Sequence, residues 1–549
     1  MSKIYGVLAV LAAALAAGCG GGPASGATGG PEAQIGGASG TELAERQVLH
    51  VGNEAELQTL DPHRAEDTSS FNVLLDLYEG LLAEAPNGEL VPGVATDWTV
   101  SEDGKTYVFD LRREARWSNG DPVTAHDFVY SLRRGVDPKT LSVYSYILSP
   151  LLNADDITAG KLPPEQLGVR AIDDHTLEIE LANPTPYFLE LMAHSMSYPV
   201  HRASLEAHGD QWTRPGNLVG NGAFKLDDWV VQSHIKVVRN PHYWDDANTK
   251  LEEVWFYPTE DLNAEFQRFR ALELDMTGIV RTAQIGFIRE NYADELVIAP
   301  YLGSYYYGFN VTRPPFKDNP KLRRALSLAV NRDVITQQIL NLGQISSYGF
   351  VPPIPGYMPQ QMPEASWTQD EREAEAKRLY AEAGYGPDNP LRTQIMYNTQ
   401  EDHRRIAVAI ASMWKQVLGV EAEILNQEWK VFLDTRNRKV DTQVYRQGWI
   451  GDYNDPFTFL ELLRSTAGQN DTGYANSEYD RLVAASQSEL DPRSRMELLQ
   501  EAERLMLNDM PILPLYIYVR SRLIQPWVGG YESNIMDRHR HKYMYVLKH

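Results

Sequence analysis

The sequence predicts an α/β fold with mixed sheets, divided among more than one domain. Three observations predict it. Segments with a two-residue apolar period alternate along the chain with segments of helical period. At roughly 150 residues per domain, a chain of 549 residues argues for about two to four domains, each large enough to bury a core. After residue 40 there is no internal repeat and no low-complexity stretch, which excludes solenoids and propellers.

Taken along the chain, Tyr107, Phe109 and Leu111 alternate as a strand with one buried face. Thr124 and Asp127 form a capping pattern ahead of Phe128-Val129-Tyr130 and open a helix. Leu177, Ile179 and Leu181 make a second alternating strand. Val254-Trp255-Phe256-Tyr257 is apolar throughout and reads as a strand buried more completely. Asn319-Pro320 supplies an N-cap and a first-turn proline for a helix whose inner face is Leu322, Ala325, Leu326 and Ala329. Thr368 with Glu371 opens a helix that Gly384 stops. Asp491-Pro492 opens another, with Met496, Leu499 and Met506 turned inward. Pro- and Gly-dense breaks fall near 199–222, 312–320 and 351–363, as loops or domain joints.

The first forty residues read as leader, not fold. Lys3 precedes an apolar run, Ile4 to Ala17, too short to span a bilayer comfortably but suited to a signal-peptide core. Ala17-Gly18-Cys19 then resembles a bacterial lipoprotein cleavage site, with Cys19 as the lipidated first residue. Its one departure is Ala16, where Leu is usual. Residues 1–18 are thus expected to be removed. Gly20 to Gly40 carries nine glycines among small residues, the composition of a flexible tether. Export and an anchor of fatty acyl chains on the outer face of a membrane follow.

Composition narrows the function. With 51 Lys+Arg against 74 Asp+Glu, the net charge of −23 disfavours nucleic acid and anionic membrane surfaces as partners. The single cysteine excludes a disulfide framework, a CxxC pair and cysteine-based zinc sites. No phosphate loop, HExxH, GxSxG or GxGxxG motif is present, so no cofactor is expected. The tail segment Asp537-Arg538-His539-Arg540-His541-Lys542 holds two histidines, but its cations oppose a metal ion. A glycoside hydrolase, which needs only two suitably spaced carboxylates, stays open as an enzymatic alternative.

One segment points to binding. In Arg446-Gln447-Gly448-Trp449-Ile450-Gly451-Asp452-Tyr453-Asn454-Asp455-Pro456, two aromatic residues bracket a glycine and an acid, and Asn-Asp-Pro then forces a turn. An acid between aromatic walls meets a cation more strongly than one in water. Alternatively, Asp452 caps the following helix.

Over residues 43 to 549 the chain resembles the oligopeptide-binding proteins of bacterial ABC peptide importers, the peptide/nickel solute-binding family. The motifs that carry the resemblance stand in the family's order. They include Thr59-Leu60-Asp61-Pro62-His63, Leu77-Tyr78-Glu79-Gly80-Leu81-Leu82 and Pro92-Gly93-Val94-Ala95 with Trp98. Trp117 to Thr124, Gly216 to Gly222, Tyr305-Tyr306-Tyr307, Asn426-Gln427-Glu428-Trp429, Pro526 to Tyr531 and the terminal Lys548-His549 complete them.

The resemblance implies a type II periplasmic-binding-protein-like fold: two lobes closing on the ligand, with mixed sheets, and a third lobe in support. It divides the chain into a first lobe (41–78, 203–302 and 519–549), a second (79–202) and a third (303–518), with hinge crossings near residues 302 and 518. It implies an extended peptide whose α-amino group pairs with Asp452. Gly448, Trp449 and Trp429 then line the groove, and Tyr144, Tyr306 and Tyr518 contact the peptide. The peptide carboxylate meets Arg446, Arg436 and His403, with Glu66 grouped beside them. Leu340 stands where some relatives place a lysine for that carboxylate, which bears on peptide length. The implied partners are short peptides and an inner-membrane ABC permease with its ATPases, served by a monomer outside the cytoplasm. Dipeptide, cell-wall tripeptide and haem binders are the narrower readings within the family.

Overall fold

The structure is a computed structural model that describes residues 41–280 and 282–549. The expected leader, Cys19 and the tether lie outside the described residues.

Three larger sheets organise the chain. The first has the strand order Val48–Gly52, Glu253–Tyr257, His234–Arg239, Phe224–Val230, parallel at the first pair and antiparallel after it. Val254 and Phe256 are fully buried, but Trp255 and Tyr257 are only half-buried on the other face. The strand expected to be more buried exposes none of its residues, but it buries one side fully and the other by half. Its outer side is an aromatic ledge on which Tyr257 stacks with His50 and carries the Arg268 guanidinium 4.2 Å above its ring. Trp255 and Tyr257 stay half-buried because each keeps a polar edge toward water.

The second sheet, with the order Ala95–Val100, Thr106–Leu111, Thr176–Glu180, Val169–Asp173, is antiparallel throughout. The two alternating segments become adjacent strands in a register that sets Tyr107 opposite Ile179 and Phe109 opposite Leu177. All four side chains face the core. Helix Ala125–Val136 packs over this sheet; its Asp127 carboxylate accepts the Thr124 backbone N–H at 2.7 Å.

The third sheet is mixed and six-stranded: Ile345–Ser346, Ile512–Leu523, Leu296–Phe309, Val444–Ile450, Arg392–Asn398, Glu421–Gln427. Its flanking helices begin where the capping residues place them. Asn319 caps Pro320–Leu328, Thr368 caps Gln369–Glu382, and Asp491 caps Pro492–Asp509. Gly384 ends the second of these with φ +91°, a conformation that favours glycine. Leu322, Ala325, Leu326, Ala329, Leu499 and Met506 are buried, and Met496 is half-buried.

Strands Leu296–Phe309 and Ile512–Leu523 are long neighbours, and their ladder shifts register twice, by a wide break after Pro300 and by a single-residue slip between Tyr305↔Tyr516 and Tyr306↔Pro514. It runs from Leu296↔Leu523 to Pro300↔Val519 and resumes at Ser304↔Ile517. The break leaves Tyr301, Leu302 and Gly303 opposite Tyr518, at the two crossings that the resemblance implies.

The basic tail segment is buried structure. Arg538 pairs with Glu84 at 2.7 Å, His541 with Asp76 at 2.7 Å, His539 with Asp537 at 3.0 Å, and Lys542 with Asp245 at 3.1 Å. Asp537 also receives Arg520 at 2.9 Å and Arg522 at 2.5 Å, and they hold its carboxyl well below the usual range against the cost of burial.

Candidate ligand-binding site

Strand Val444–Ile450 carries the candidate residues, and the two-residue period divides them between its faces. In register, Arg446 lies opposite Tyr307, Gln447 opposite Tyr306, Gly448 opposite Tyr305 and Trp449 opposite Ser304. Arg446 and Gly448 therefore share a face with Tyr305 and Tyr307, while Gln447 and Trp449 share the other with Tyr306.

Beyond the strand end, Asp452 lines a cavity of about 450 Å³ together with Trp449, Tyr144 and Glu66. Phe71, Tyr146, His194 and Arg538 complete the walls used below. Asp452 is not the helix cap. The N-cap position of the following helix, Phe457–Leu460, is Pro456, and the carboxylate at its start is Asp455, which accepts the Phe457 backbone N–H at 2.8 Å and pairs through both oxygens with Arg495 at 2.7 Å. Asp452 is thus released toward the cavity. The Tyr146 hydroxyl donates to its Oδ2 at 3.1 Å, and Arg538 Nη2 donates to its backbone carbonyl at 3.0 Å. Among the described residues, no Lys, Arg or His side chain forms an ion pair with the Asp452 carboxylate. Burial pushes that carboxyl up to about 6, with the Tyr146 hydrogen bond and the Arg538 charge opposing.

The walls are aromatic and fixed. Tyr144 stacks between Tyr146 at 5.5 Å and His194 at 5.6 Å, with Phe71 edge-on at 5.8 Å. Burial, and after it the Asp452 and Glu66 charges, push the Tyr144 hydroxyl up to about 12. His194 is held neutral, down to about 3, by burial and then by Arg538. Trp449 is pinned by its Nε1–H, which donates to Thr458 Oγ1 at 3.2 Å. Glu66 sits exposed at the rim.

A second group surrounds Arg446. Its Nη2 donates to the Tyr518 hydroxyl at 3.1 Å, and its guanidinium lies 4.9 Å over the Tyr305 ring. Its Nε is buried without a hydrogen-bond partner, and among the described residues no carboxylate pairs with it. Gly448 admits this packing, because a Cβ there would lie 2.6 Å from the Tyr518 hydroxyl oxygen. His403 shares a hydrogen bond with the Tyr305 hydroxyl at 3.1 Å. Burial, then the Arg446 charge, lowers its imidazole to about 3, so it stands as a neutral group and not the cation expected.

The remaining candidates lie apart from these two groups. Arg436 is paired with Asp471 at 3.0 Å, both nearly buried, so its charge is already met. Tyr306 is 5% exposed and packs edge-on against Phe350 in the core. Trp429 is 47% exposed and stacks on Phe432 at 5.9 Å. Leu340, 3% exposed at the end of the π-helical turn Val334–Leu340, faces the core. The site residues that sequence reasoning missed are Tyr146, His194 and Arg538. Tyr146 lies two positions from a residue already singled out, and Arg538 stood in view inside the tail segment.

Residues 89–471 match the family model described as bacterial extracellular solute-binding proteins, family 5 Middle. The chain belongs to this family. The periplasmic oligopeptide-binding protein OppA of Escherichia coli K12 is 41% identical over 516 residues, 93% of this chain and 94% of that protein. Among solved structures of this solute-binding family, the murein tripeptide-binding protein MppA in an unliganded open form matches with a TM-score of 0.84 at 41% identity, covering 93% of this chain and 99% of that one. Haemophilus influenzae OppA in complex with RPPGFSPFR matches with a TM-score of 0.77 at 38% identity, over 92% and 100% of the two chains. Membership also accounts for the α/β architecture with several mixed sheets.

Proposed function

We propose that this solute-binding protein is an extracytoplasmic receptor that captures short peptides by hinge closure and delivers them to an ABC permease. The observation that carries this reading is the half-buried Asp452 carboxylate, which lines an aromatic cavity and, among the described residues, forms no ion pair. A buried anion is costly until it is paired. Six residues back, on the strand that leads to it, Arg446 is a cation that no carboxylate pairs among the described residues. A zwitterionic peptide offers the charges that both lack. The strand between them spans at most about 20 Å, which an extended peptide of about two to five residues fills once the side chains reach inward.

The lobe division and the hinge belong to the same proposal. The first sheet draws on 48–257 outside the span of the second, and the second lies wholly within 79–202. The broken ladder at Tyr301–Gly303 and Tyr518 supplies a place where two paired strands bend together. Relatives named for peptides or a murein tripeptide support the ligand class. Anchoring through a lipidated Cys19 and action as a monomer complete the reading. The protein returns its ligand intact, as a binder and not a glycoside hydrolase.

Mass spectrometry of material released from the purified protein tests it. Mixed short peptides are the expected result. A single defined small molecule contradicts broad peptide capture, and turnover of a glycoside contradicts the binding role. Labelled palmitate should enter the wild-type protein and not Cys19→Ser.

A further inference from the structure

Behind Tyr146 lies a second cavity, of about 570 Å³, and Tyr146 lines both it and the Asp452 chamber. One side is built by residues 146–191 and the other by residues 453–488. Tyr187 and Tyr453 stack within it at 4.9 Å, nearly parallel at 5°, which fixes two phenol rings as a rigid wall. Arg495, locked on Asp455, lies 5.5 Å over Tyr187 and holds that wall from behind.

The polar feature of this cavity is the Glu461 carboxylate. It receives one long hydrogen bond, from the Tyr453 hydroxyl at 3.4 Å. Among the described residues it belongs to no ion pair, and no Lys, Arg or His lines the cavity. Arg464 acts on it only from a distance, with one guanidinium nitrogen turned to Gln487 at 3.4 Å. The second acid on the wall, Asp155, is exposed and keeps its water.

Charge then decides what the cavity takes. Asp452 and Glu461 are both withdrawn from water, and each repels the other's anion. Burial, followed by the Asp452 charge, pushes Glu461 up to about 7. The α-ammonium of a peptide supplies one positive charge for these two carboxylates. A neutral side chain entering the cavity would strip Glu461 of water and leave it unpaired, whereas a cation meets the carboxylate and the faces of the tyrosines together.

We propose that this cavity is a specificity site for the basic side chain of the bound peptide's first residue, an ammonium or guanidinium on a flexible stem, with Glu461 as its counter-ion. The inference rests on the peptide-receptor reading above. The same chemistry is offered by a free diamine, and the test separates the two sources.

Calorimetry at pH 7.5 with Lys-Ala-Ala and norleucine-Ala-Ala compares side chains of similar length with and without the charge. Wild-type protein should prefer the lysine peptide by about tenfold. In Glu461→Gln that preference should collapse through loss of lysine-peptide affinity, while the norleucine peptide binds at least as tightly as to wild type, which also shows that the variant is folded. Equal affinity for the two peptides in wild-type protein overturns this inference and leaves the receptor reading intact. Binding of neither peptide removes both. Cadaverine serves as the third probe. Its saturable binding, lost in Glu461→Gln and unaccompanied by a lysine preference, would assign the cavity to free diamines and overturn the side-chain assignment.

Discussion

The Tyr146 hydroxyl donates to Asp452 Oδ2 at 3.1 Å across 306 positions of sequence, joining the two sides of the cleft at the proposed amine anchor. The anchor is therefore a carboxylate with one neutral donor and one unmet charge.

A pH dependence follows from this. Burial raises Asp452 to about 6 from an ordinary value of 3.8. Between about pH 4 and pH 6 the folded, unliganded protein holds a proton that the unfolded chain releases. This group's contribution to the stability of the unliganded protein is thus largest below pH 4, shrinks as the pH rises through that window and levels off above 6. Peptide affinity runs the other way, since the ammonium requires the ionised carboxylate. It should fall by up to about tenfold per unit as the pH drops below 6. Calorimetry at pH 5 in two buffers of different ionisation enthalpy should show proton release on binding. Affinity that is flat from pH 5 to 7 removes Asp452 from the anchor.

Gly448 is a packing requirement of the Arg446 group. A Cβ at this position meets Tyr518 Oη at 2.6 Å and Arg446 Nη2 at 3.3 Å, so Gly448→Ala must displace one or both. Overpacking of this kind costs about 1–3 kcal/mol, here taken partly from stability and partly from peptide affinity. Adding Tyr518→Phe removes the nearest atom and should recover most of the melting temperature. If the double variant melts no higher than Gly448→Ala, the contact is not the cause.

Arg446 should cost stability in the unliganded protein and serve only the complex. Arg446→Met replaces a half-buried guanidinium, its Nε buried without a partner and no carboxylate paired with it among the described residues, with a side chain of similar length. The variant should be more stable by about 1–3 kcal/mol in urea. It should bind free-carboxylate peptides at least tenfold more weakly, while C-terminal amides bind as to wild type. Equal losses for acids and amides would show that Arg446 supports the fold of the cleft and not the peptide terminus.

Much of this architecture was legible because local rules and tertiary packing agree. The Asn319, Thr368 and Asp491 caps and the two alternating strands at 107–111 and 177–181 are encoded within a few residues. At 254–257 the apolar run marks a strand without exposed residues, but apolar identity does not say which face another layer covers. The Arg446–Asp452 segment announced a site, but its sequence left open whether Asp452 meets a ligand or caps the next helix. The choice depends on Arg495, forty residues on, which fixes Asp455. The resemblance to the family implies His403 and Arg436 as positive groups for the peptide carboxylate. Their environments, Tyr305 with Arg446 for one and Asp471 for the other, are long-range facts that no local pattern contains.

Arg538 ties the anchor to the frame, and its removal should separate two roles. One guanidinium nitrogen pairs with Glu84, whose side chain is 5% exposed, and the other donates to the Asp452 carbonyl. Glu190, nearby, is pushed up to about 8 by burial and then by Glu84, so it is largely neutral at pH 7 and does not compete for the guanidinium. Arg538→Met leaves Glu84 as a buried, unpaired anion, a loss of about 3–5 kcal/mol in urea unfolding. Glu84→Gln in the same chain removes that anion and should return most of the stability. The effect on Asp452 should survive the rescue. Arg538 helps hold the Asp452 carboxyl down, so in both variants the pH at which peptide affinity begins to fall should move above its wild-type position. A double variant that recovers stability and also the wild-type pH profile would show that Arg538 acts only through Glu84 and exerts no field on the anchor.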